Sequence, residues 1–404
     1  MPTDLHSSCS RLKIGNDFVI PTMDFHPQDR GNKPAIILIG RRNGALAAAR
    51  KLGFKPLTID VQARSEQSKI AFGGTVQWAL EQAILACPER PPVAVVAVAT
   101  GAVIAAAAIR EHFRLPGISS MIAQRCHNKL VMKKAINSSA IPTAPWLETT
   151  GESTPEGLVQ VLGLPLVLKL PISSGGRGVW VCERISEIAR HLRPGLLAEG
   201  FVEGLEMSIE TFHANGEVIF QNHTGYLIPR VANVLPAKLS TQERQSIESL
   251  SEEVHRGLGI ESGITHMEVF LTRDGPVFGE IAARPPGGYL MELMRRAYEF
   301  DPWEALLRIA LGEGPTLPMS ARHHAGVWLL HPGQGTVDQI EGLESAKSLP
   351  GITDVVCSLQ AGDCLSARVG SGESVGRILA QTSAYESCAA SLKEAARQFT
   401  ISVS

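Results

Sequence analysis

At 404 residues, 44% hydrophobic and 19% charged, the chain has material for two to four domains and a core that needs no disulfide support. A formal net charge of -2 removes any bulk electrostatic case for nucleic acid or an anionic membrane as partner. The seven cysteines (Cys9, Cys87, Cys126, Cys182, Cys357, Cys364, Cys388) include no C-x-x-C pair, which speaks against a disulfide scaffold or zinc site and fits a reducing, cytoplasmic setting.

Residues 1–33 are polar and aperiodic and are expected to form an N-terminal arm. Their opening, MPTDLHSSCSRLKIG, lacks the apolar stretch of a secretory signal. From Pro34 the pattern becomes α/β: AIILIG reads as a strand, NGALAAARKLG as a helix stopped at Gly53, KPLTID as a second strand and VAVVAVAT as a later one. Alternating strands and helices with short turns imply a mainly parallel, Rossmann-like domain over 34–127. GRRNGAL after the first strand is not G-x-G-x-x-G, and no Walker G-x-x-x-x-G-K-[ST] occurs, so hydride-transfer and P-loop readings are disfavoured. Residues 91–109 carry no charge, but Thr100-Gly101 divides a β-branched half from an alanine-rich half; this predicts a buried strand, a turn and a helix rather than a membrane span.

Next comes a helix, NKLVMKKAINSSA, capped by Asn128 and carrying Lys129, Lys133 and Lys134. LPLVLKL predicts a strand ending near Lys169, followed by the loop PISSGGRG, a strand GVWVC, a helix near SEIARHL and a strand LLAEGFV. A cation at a strand end followed by Ser173, Ser174, Gly175, Gly176 and Arg177 suits a phosphate tail, since small residues let backbone N–H groups approach and Lys169 supplies charge. A plain surface loop is the alternative. STQERQSIESLSEEVHRGLG is a helix opened by a Ser240/Glu243 capping box and stopped at Gly257 or Gly259.

THMEVFLTRDGPVFGEIAAR predicts a hairpin turning at Asp274-Gly275. Strand alternation puts His266, Glu268, Glu280, Ala282 and Arg284 on one face and Val269, Leu271, Val277 and Ile281 on the other. Glu268 and Glu280 then lie almost opposite each other, and opposed like charges call for a compensating cation. Two carboxylates suit Mg²⁺. A solvent-facing strand with two unlinked glutamates fits the same pattern. Beyond 315, AGVWLLH and ITDVVCSL read as strands and ESCAASLKEAARQF as a last helix, in a small α+β unit over 316–404.

The order of these pieces (NK on a helix, K before SSGGRG, AEGFVEGLE, HMEVF, EIAAR) resembles the ATP-grasp superfamily over residues 34–315. The resemblance implies a mixed α/β and α+β chain: an N-terminal Rossmann-like domain (34–127), the small (128–199) and large (200–315) ATP-grasp subdomains, and the C-terminal domain. It implies ATP as nucleotide with Mg²⁺, or Mn²⁺ in its place. Lys129 and Lys169 match the phosphate lysines, and residues 173–177 match a mobile lid. Glu199, Phe201 and Val202 match the adenine hinge, and Glu206 the ribose contact. Glu268 and Glu280 match the metal ligands and Arg284 the arginine that steadies the transferred phosphate. The family's E-x-N reads E-I-A here, with Ala282 at the asparagine.

Within the superfamily, CHNKLVMKKAINSSAIPTAPW, EIAARPPGG and the C-terminal unit resemble the L-amino acid ligases, which make dipeptides; VANVLPA offers Asn233 where such enzymes often have histidine. The implied reaction joins an amino acid carboxylate to an amine through an acyl phosphate, releasing ADP and phosphate. Gly287 and Gly288 are substrate candidates because they leave room near a carboxylate, though a tight turn into a helix reads the same way. Tyr226 and Arg230 are candidates for the amine side. His266 adjoins the metal candidates, with a packed core histidine as its alternative. A nucleotide-sensing module without turnover and an enzyme activating bicarbonate or formate are the rival functions. Small-molecule substrates, no nucleic acid or membrane partner, and a homodimer complete the expectations.

Overall fold

The computed structural model describes residues 33–60, 72–137, 141–368, 370 and 372–404. The arm expected over 1–33 therefore lies outside the described residues, apart from Lys33. Strand β1 (Ala35–Ile39), helix α1 (Asn43–Lys51), β2 (Lys55–Ile59), α2 (Phe72–Ala86) and β3 (Ala94–Ala97) build a parallel sheet in the order β2-β1-β3. Ile36 to Ile39 are all inaccessible to solvent, so both faces of β1 are covered and the strand reads as an unbroken apolar run. The charge-free segment 91–109 resolves into β3, a 3₁₀ turn at Thr100–Ala102, and α3 (Val103–Phe113), whose small side chains pack against the sheet. Among the described residues no helix is long and apolar enough to cross a membrane.

Helix α4 (Ser120–His127) joins α5 (Lys129–Ile136) at Asn128, whose side-chain oxygen accepts the N–H groups of Leu130 (3.0 Å) and Val131 (3.3 Å). This cap fixes Lys129 at the first position of α5. Strand β4 (Trp146–Glu148), α6 (Pro155–Leu162), β5 (Leu166–Lys169), β6 (Val179–Cys182), α7 (Ile185–His191) and β7 (Leu197–Gly200) follow, with an antiparallel sheet ordered β4-β7-β5-β6. Leu166, Leu168 and Ala198 pack on Leu158 and Ile188 of the two helices. Alternation therefore turns Lys169 and Glu199 to the opposite face.

The remainder is organised by one antiparallel sheet. Its elements are β8 (Leu205–Ala214), β9 (Glu217–Ile228), β10 (Ala232–Leu235), α8 (Thr241–Leu258), β11 (Gly263–Thr272), β12 (Gly275–Ala282), α9 (Leu290–Tyr298), α10 (Pro302–Ala310), β13 (His324–Leu330), β14 (Gly335–Glu341), α11 (Leu343–Lys347), β15 (Ile352–Cys357), β16 (Cys364–Leu365), β17 (Gly376–Thr382), α12 (Tyr385–Gln398) and β18 (Thr400–Val403). Eight strands run β12-β11-β8-β9-β10-β13-β17-β15, so the C-terminal strands extend the same surface; β16-β14-β18 form a small separate sheet. The front face packs Phe212, Phe220 and Leu235 against α9 and α10. The back face packs Met207, Ile209, Met267 and Val269 against Ile247, Leu250 and Val254 of α8. That helix carries the expected capping box and ends at Gly259 in the left-handed region (φ 79°).

The β11–β12 hairpin departs from simple alternation in one respect. The register shifts after Glu268, so Val269 pairs with Phe278 and Phe270 with Val277, and Phe278 takes the buried place expected for Val277. The extra residue is Gly279, where an added Cβ would lie 3.0 Å from the Glu268 carbonyl oxygen.

Candidate active site

The bulge lies between the turn and the acidic pair and sets that pair in register: His266 pairs with Ala282, Met267 with Ile281 and Glu268 with Glu280 across the hairpin. Glu280 receives Lys129, with Nζ 3.1 Å from Oε2. Glu268 has His266 Nε2 at 3.7 Å. The two opposed carboxylates are thus each faced by a cationic or protonatable group. Lys129 also donates to the carbonyl and hydroxyl oxygens of Ser173 (both 3.3 Å), which ties the glycine loop to the acidic hairpin.

The loop itself is shaped by glycine. Gly175, Gly176 and Gly178 have φ of 65°, 82° and 63°, a region costly for other residues. Gly176 also admits Arg230, whose Nη1 would lie 2.6 Å from an added Cβ. Arg230 is itself left-handed (φ 64°), and its carbonyl accepts Arg368 Nη2 at 2.6 Å. Arg177 stands beside Gly370, so the C-terminal unit reaches the loop. The Ser174 carbonyl accepts the Arg177 N–H.

Lys169 Nζ lies 2.6 Å from Glu199 Oε2, and Lys133 Nζ 2.8 Å from Glu199 Oε1. Burial opposes the Lys169 charge, but Glu199 and then Glu280 outweigh it and hold its pKa above the ordinary value. For Lys133 burial wins over Glu199, and the pKa is lowered. Glu199 pays a burial penalty too, yet Lys169 and Lys133 keep it below the usual carboxylate range. Its carboxylate is thereby committed to two lysines, leaving the neighbouring backbone as what this strand end offers a ligand. There Phe201 is half exposed and donates its N–H to the Pro165 carbonyl (3.2 Å), with Val202 beside it. Lys133 is a participant that sequence reasoning named without placing; its spacing of one helical turn from Lys129 was the available signal.

On β8, Glu206, Ser208 and Glu210 share the front face. Burial first, and the Glu268 charge second, raise Glu206 to about 7, with Arg230 and Lys169 opposing. Glu210 is fully buried and accepts from Ser208 Oγ, Asn222 Nδ2 and Thr224 Oγ1 (2.7 Å each) and from His266 Nδ1 (2.9 Å). Burial would strip the proton from His266, but its hydrogen bonds to Glu210 and Glu268 prevail and raise it to about 9. His266 is therefore a charged strut between two carboxylates. Glu210 was missed from the sequence, although the alternation Glu206, Ser208, Glu210 in LEMSIE marks a polar strand face.

Arg284 follows β12. Burial lowers its pKa while Glu280 and Glu268 raise it; Nη1 donates to the Pro285 carbonyl (2.8 Å), and Nε is buried with no partner among the described residues. Asn233 Oδ1 is likewise buried and unpartnered, and its Nδ2 lies 3.6 Å from where a Cβ on Gly288 would stand. Gly288 is left-handed (φ 57°), and the Gly287 carbonyl accepts the N–H of Leu290 as α9 begins. Tyr226 pairs with Asn233 across β9–β10. Its pKa is pushed up by burial and by Glu268, against a hydrogen bond with Ser208. The site thus brings together lysines, two opposed carboxylates, and unmet polar groups of Arg284 and Asn233, the latter beside a glycine turn.

No cluster of three or more His, Cys, Asp or Glu side chains suited to a metal occurs among the described residues. The paired carboxylates Glu268 and Glu280 do fit a hard divalent ion that completes its shell with phosphate and water oxygens.

Parts of the chain are similar to known proteins. The family model described as "ATP-grasp domain" matches residues 134–289, and that described as "L-amino acid ligase C-terminal domain 2" matches 327–404. An uncharacterized protein, y4rH, of Sinorhizobium fredii is 28% identical over 271 residues, 63% of this chain but only 56% of that protein. The L-arginine-specific L-amino acid ligase of Bacillus subtilis is 24% identical over 290 residues, covering 67% of this chain and 70% of the ligase. Among solved structures, an L-amino acid ligase from Bacillus licheniformis superposes with a TM-score of 0.74 at 21% identity, over 92% of this chain and 99% of that one. N5-carboxyaminoimidazole ribonucleotide synthetase from Thermotoga maritima gives 0.70 at 17% identity, over 92% and 100%. The chain thus carries an ATP-grasp domain over residues 134–289 followed by an L-amino acid ligase C-terminal domain over 327–404.

Proposed function

We propose that the protein is an ATP-dependent ligase that joins an amino acid carboxylate to an amine, a second amino acid, through an acyl phosphate. The observation that carries this reading is the convergence of Glu268 and Glu280 with Lys129, Lys169 and Arg284 in one cleft, on a chain whose last domain matches the L-amino acid ligases. Lys129 and Lys169 bind the phosphate tail of ATP, exchanging part of their pairing with Glu280 and Glu199 for phosphate oxygens. Glu268 and Glu280 would hold Mg²⁺, which would neutralise phosphate charge. Residues 173–178 close over the nucleotide and exclude water, which would otherwise hydrolyse the acyl phosphate. The nucleobase lies against the backbone near Phe201 and Val202, with Glu206 on the ribose.

In the first step a substrate carboxylate oxygen bonds to the γ-phosphorus and the bond to the ADP oxygen breaks. In the second the amine nitrogen bonds to the acyl carbon, phosphate leaves and the amine gives up a proton. Negative charge grows on oxygen in both, and Arg284 sits where it develops, a use of fixed charge that costs no reorganisation. The unmet Arg284 Nε and Asn233 Oδ1 suit a substrate that brings both an acceptor and a donor, as an amino acid does. Gly288 leaves the space between them open, and Tyr226 and Arg230 border the amine side. His266, charged and held on both sides, orients Glu268 and supplies positive charge; it is not free to act as a base. A cytoplasmic homodimer is the setting that goes with this reading.

Phosphate release measured over a panel of amino acid pairs tests it. The ligase requires an amino acid and an amine together. Release driven by bicarbonate or formate alone would assign the activity to the carboxylating or formylating branch, and no release under any condition would leave a nucleotide-binding module.

A further inference from the structure

A second cavity, of about 410 Å³, opens beside the ends of β9 and β10 and is lined by Gln221 and His223 of β9, Arg244 and Glu248 of α8, Tyr298 of the front-packed α9, and His324. Alternation divides β9 between this cavity and the candidate active site, and Tyr298, whose hydroxyl donates to the Asn222 side chain (3.1 Å), stands between the two. Asn222 and Thr224 point to Glu210 on the front, whereas Gln221 bonds to Ser251 of α8 (3.4 Å) and His223 turns to Glu248. Its size falls in the range of small-molecule sites, roughly 300–1,000 Å³.

Its polar groups are incompletely partnered. His223 is 5% exposed, yet its Nε2 makes no hydrogen bond among the described residues; the nearest carboxylate oxygen, on Glu248, is 3.6 Å away. Burial lowers this histidine to about 4, with the Arg244 charge acting in the same direction, so it faces the cavity neutral. Arg244 has no carboxylate within 4 Å among the described residues, although Glu248 lies one turn along the same helix. Arg322 and His323, also at the rim, are already taken by Glu299 (3.0 and 3.5 Å). A guanidinium and a carboxylate that line one cavity without pairing, next to a buried imidazole with an unmet nitrogen, match a ligand carrying both charges.

We infer that this cavity is a second binding site for a free α-amino acid, its carboxylate on Arg244, its ammonium on Glu248 and a polar atom on His223 Nε2. The side chain of the ligand extends toward Tyr298 and His324. Recognition by guanidinium and carboxylate together excludes amines without a carboxylate and acids without an amine.

The test is calorimetric titration of the full chain, without nucleotide, with L-alanine, L-glutamine, L-leucine and L-phenylalanine, and with the amide and N-acetyl derivatives of each. At least one free amino acid should bind; its Kd should rise tenfold or more in Arg244→Ala and in Glu248→Gln, stay within twofold in Arg284→Ala, and its two derivatives should not bind. Both helix positions are at the surface, and circular dichroism verifies that the variants fold. The inference is overturned if none of the four binds, if Arg244→Ala binds as the wild type does, or if Arg284→Ala alone abolishes the heat. Binding here needs no turnover, so it stands or falls separately from the ligase reaction.

Discussion

Two faces of the same strands treat ionisable side chains in opposite ways. On the front, His266 is buried between Glu210 and Glu268 and is held charged, its pKa raised to about 9. On the back, His213, His223 and His255 are buried without such support and fall to about 3, 4 and 4. His255 spends its nitrogens on the Ser251 carbonyl (2.6 Å) and Thr265 hydroxyl (2.8 Å), while His213 stacks on it, ring centroids 4.2 Å apart, with both nitrogens unpartnered among the described residues. Burial alone neutralises a group; burial with a hydrogen-bonded counter-charge fixes it ionised. The front can therefore organise charge for chemistry, and the back is a packing layer with a polar cavity at its edge.

The sharpest way to break the contrast is Glu210→Gln. It removes the charge that faces His266 and leaves one acceptor oxygen for four donors; if that oxygen keeps His266 and Ser208, then Asn222 and Thr224 lose theirs. The loss of stability should be about 3–5 kcal/mol in urea unfolding, as for other broken buried pairs. A companion His266→Gln should recover part of it. If Glu210→Gln unfolds like the wild type, the strut does not exist.

Glu280→Gln comes next. It retains the shape of the side chain and removes the charge that faces Lys129, and should cost on the order of a hundredfold to a thousandfold in nucleotide-dependent phosphate release with an unchanged far-ultraviolet spectrum. Near-normal turnover would remove the metal assignment.

The back face makes a pH prediction. A histidine whose folded pKa is depressed contributes stability that is fully present above about pH 6.5 and is lost as pH falls toward its folded value. For His213, at about 3 in the fold, the loss by pH 5 is roughly 2 kcal/mol. His213→Phe should flatten the decline in unfolding free energy between pH 6.5 and 5; an unchanged slope would show that the ring is not the neutral, sequestered group described here.

The smallest effect belongs to the loop that covers the front. Gly176→Ala meets both φ 82° and the Arg230 guanidinium, a strain of roughly 1–2 kcal/mol felt mainly in the closed loop. The KM for ATP should rise several-fold while the thermal midpoint scarcely moves. An equal shift in both would mean that the loop is part of the rigid scaffold.

Much of the fold could be read along the chain because its signals are local. Asn128 before KLVMKK, Ser240 with Glu243, Asp274-Gly275 between two alternating runs and Thr100-Gly101 inside an apolar stretch each act within a few residues, and the structure puts a cap, a capping box, a turn and a break at those places. The near-opposition of Glu268 and Glu280 was legible because the turn between their strands is short, but the bulge at Gly279 is what sets them in direct register. Phe278 was misplaced because a bulge at Gly279 is a tertiary accommodation that alternation cannot foresee.

What the sequence by itself determined is the order of elements, the caps and turns that separate them, and the residue types available to each strand face. Tertiary structure alone decided the partners: that Glu199 of one sheet takes lysines from α5 and β5, that Glu210 holds His266 from a neighbouring strand, and that strands after 323 complete the sheet begun at 205. Local choices follow from the covalent chain and its hydrogen-bonding period. The state of a buried charge depends instead on which distant groups share its low-dielectric surroundings, and only packing brings those together.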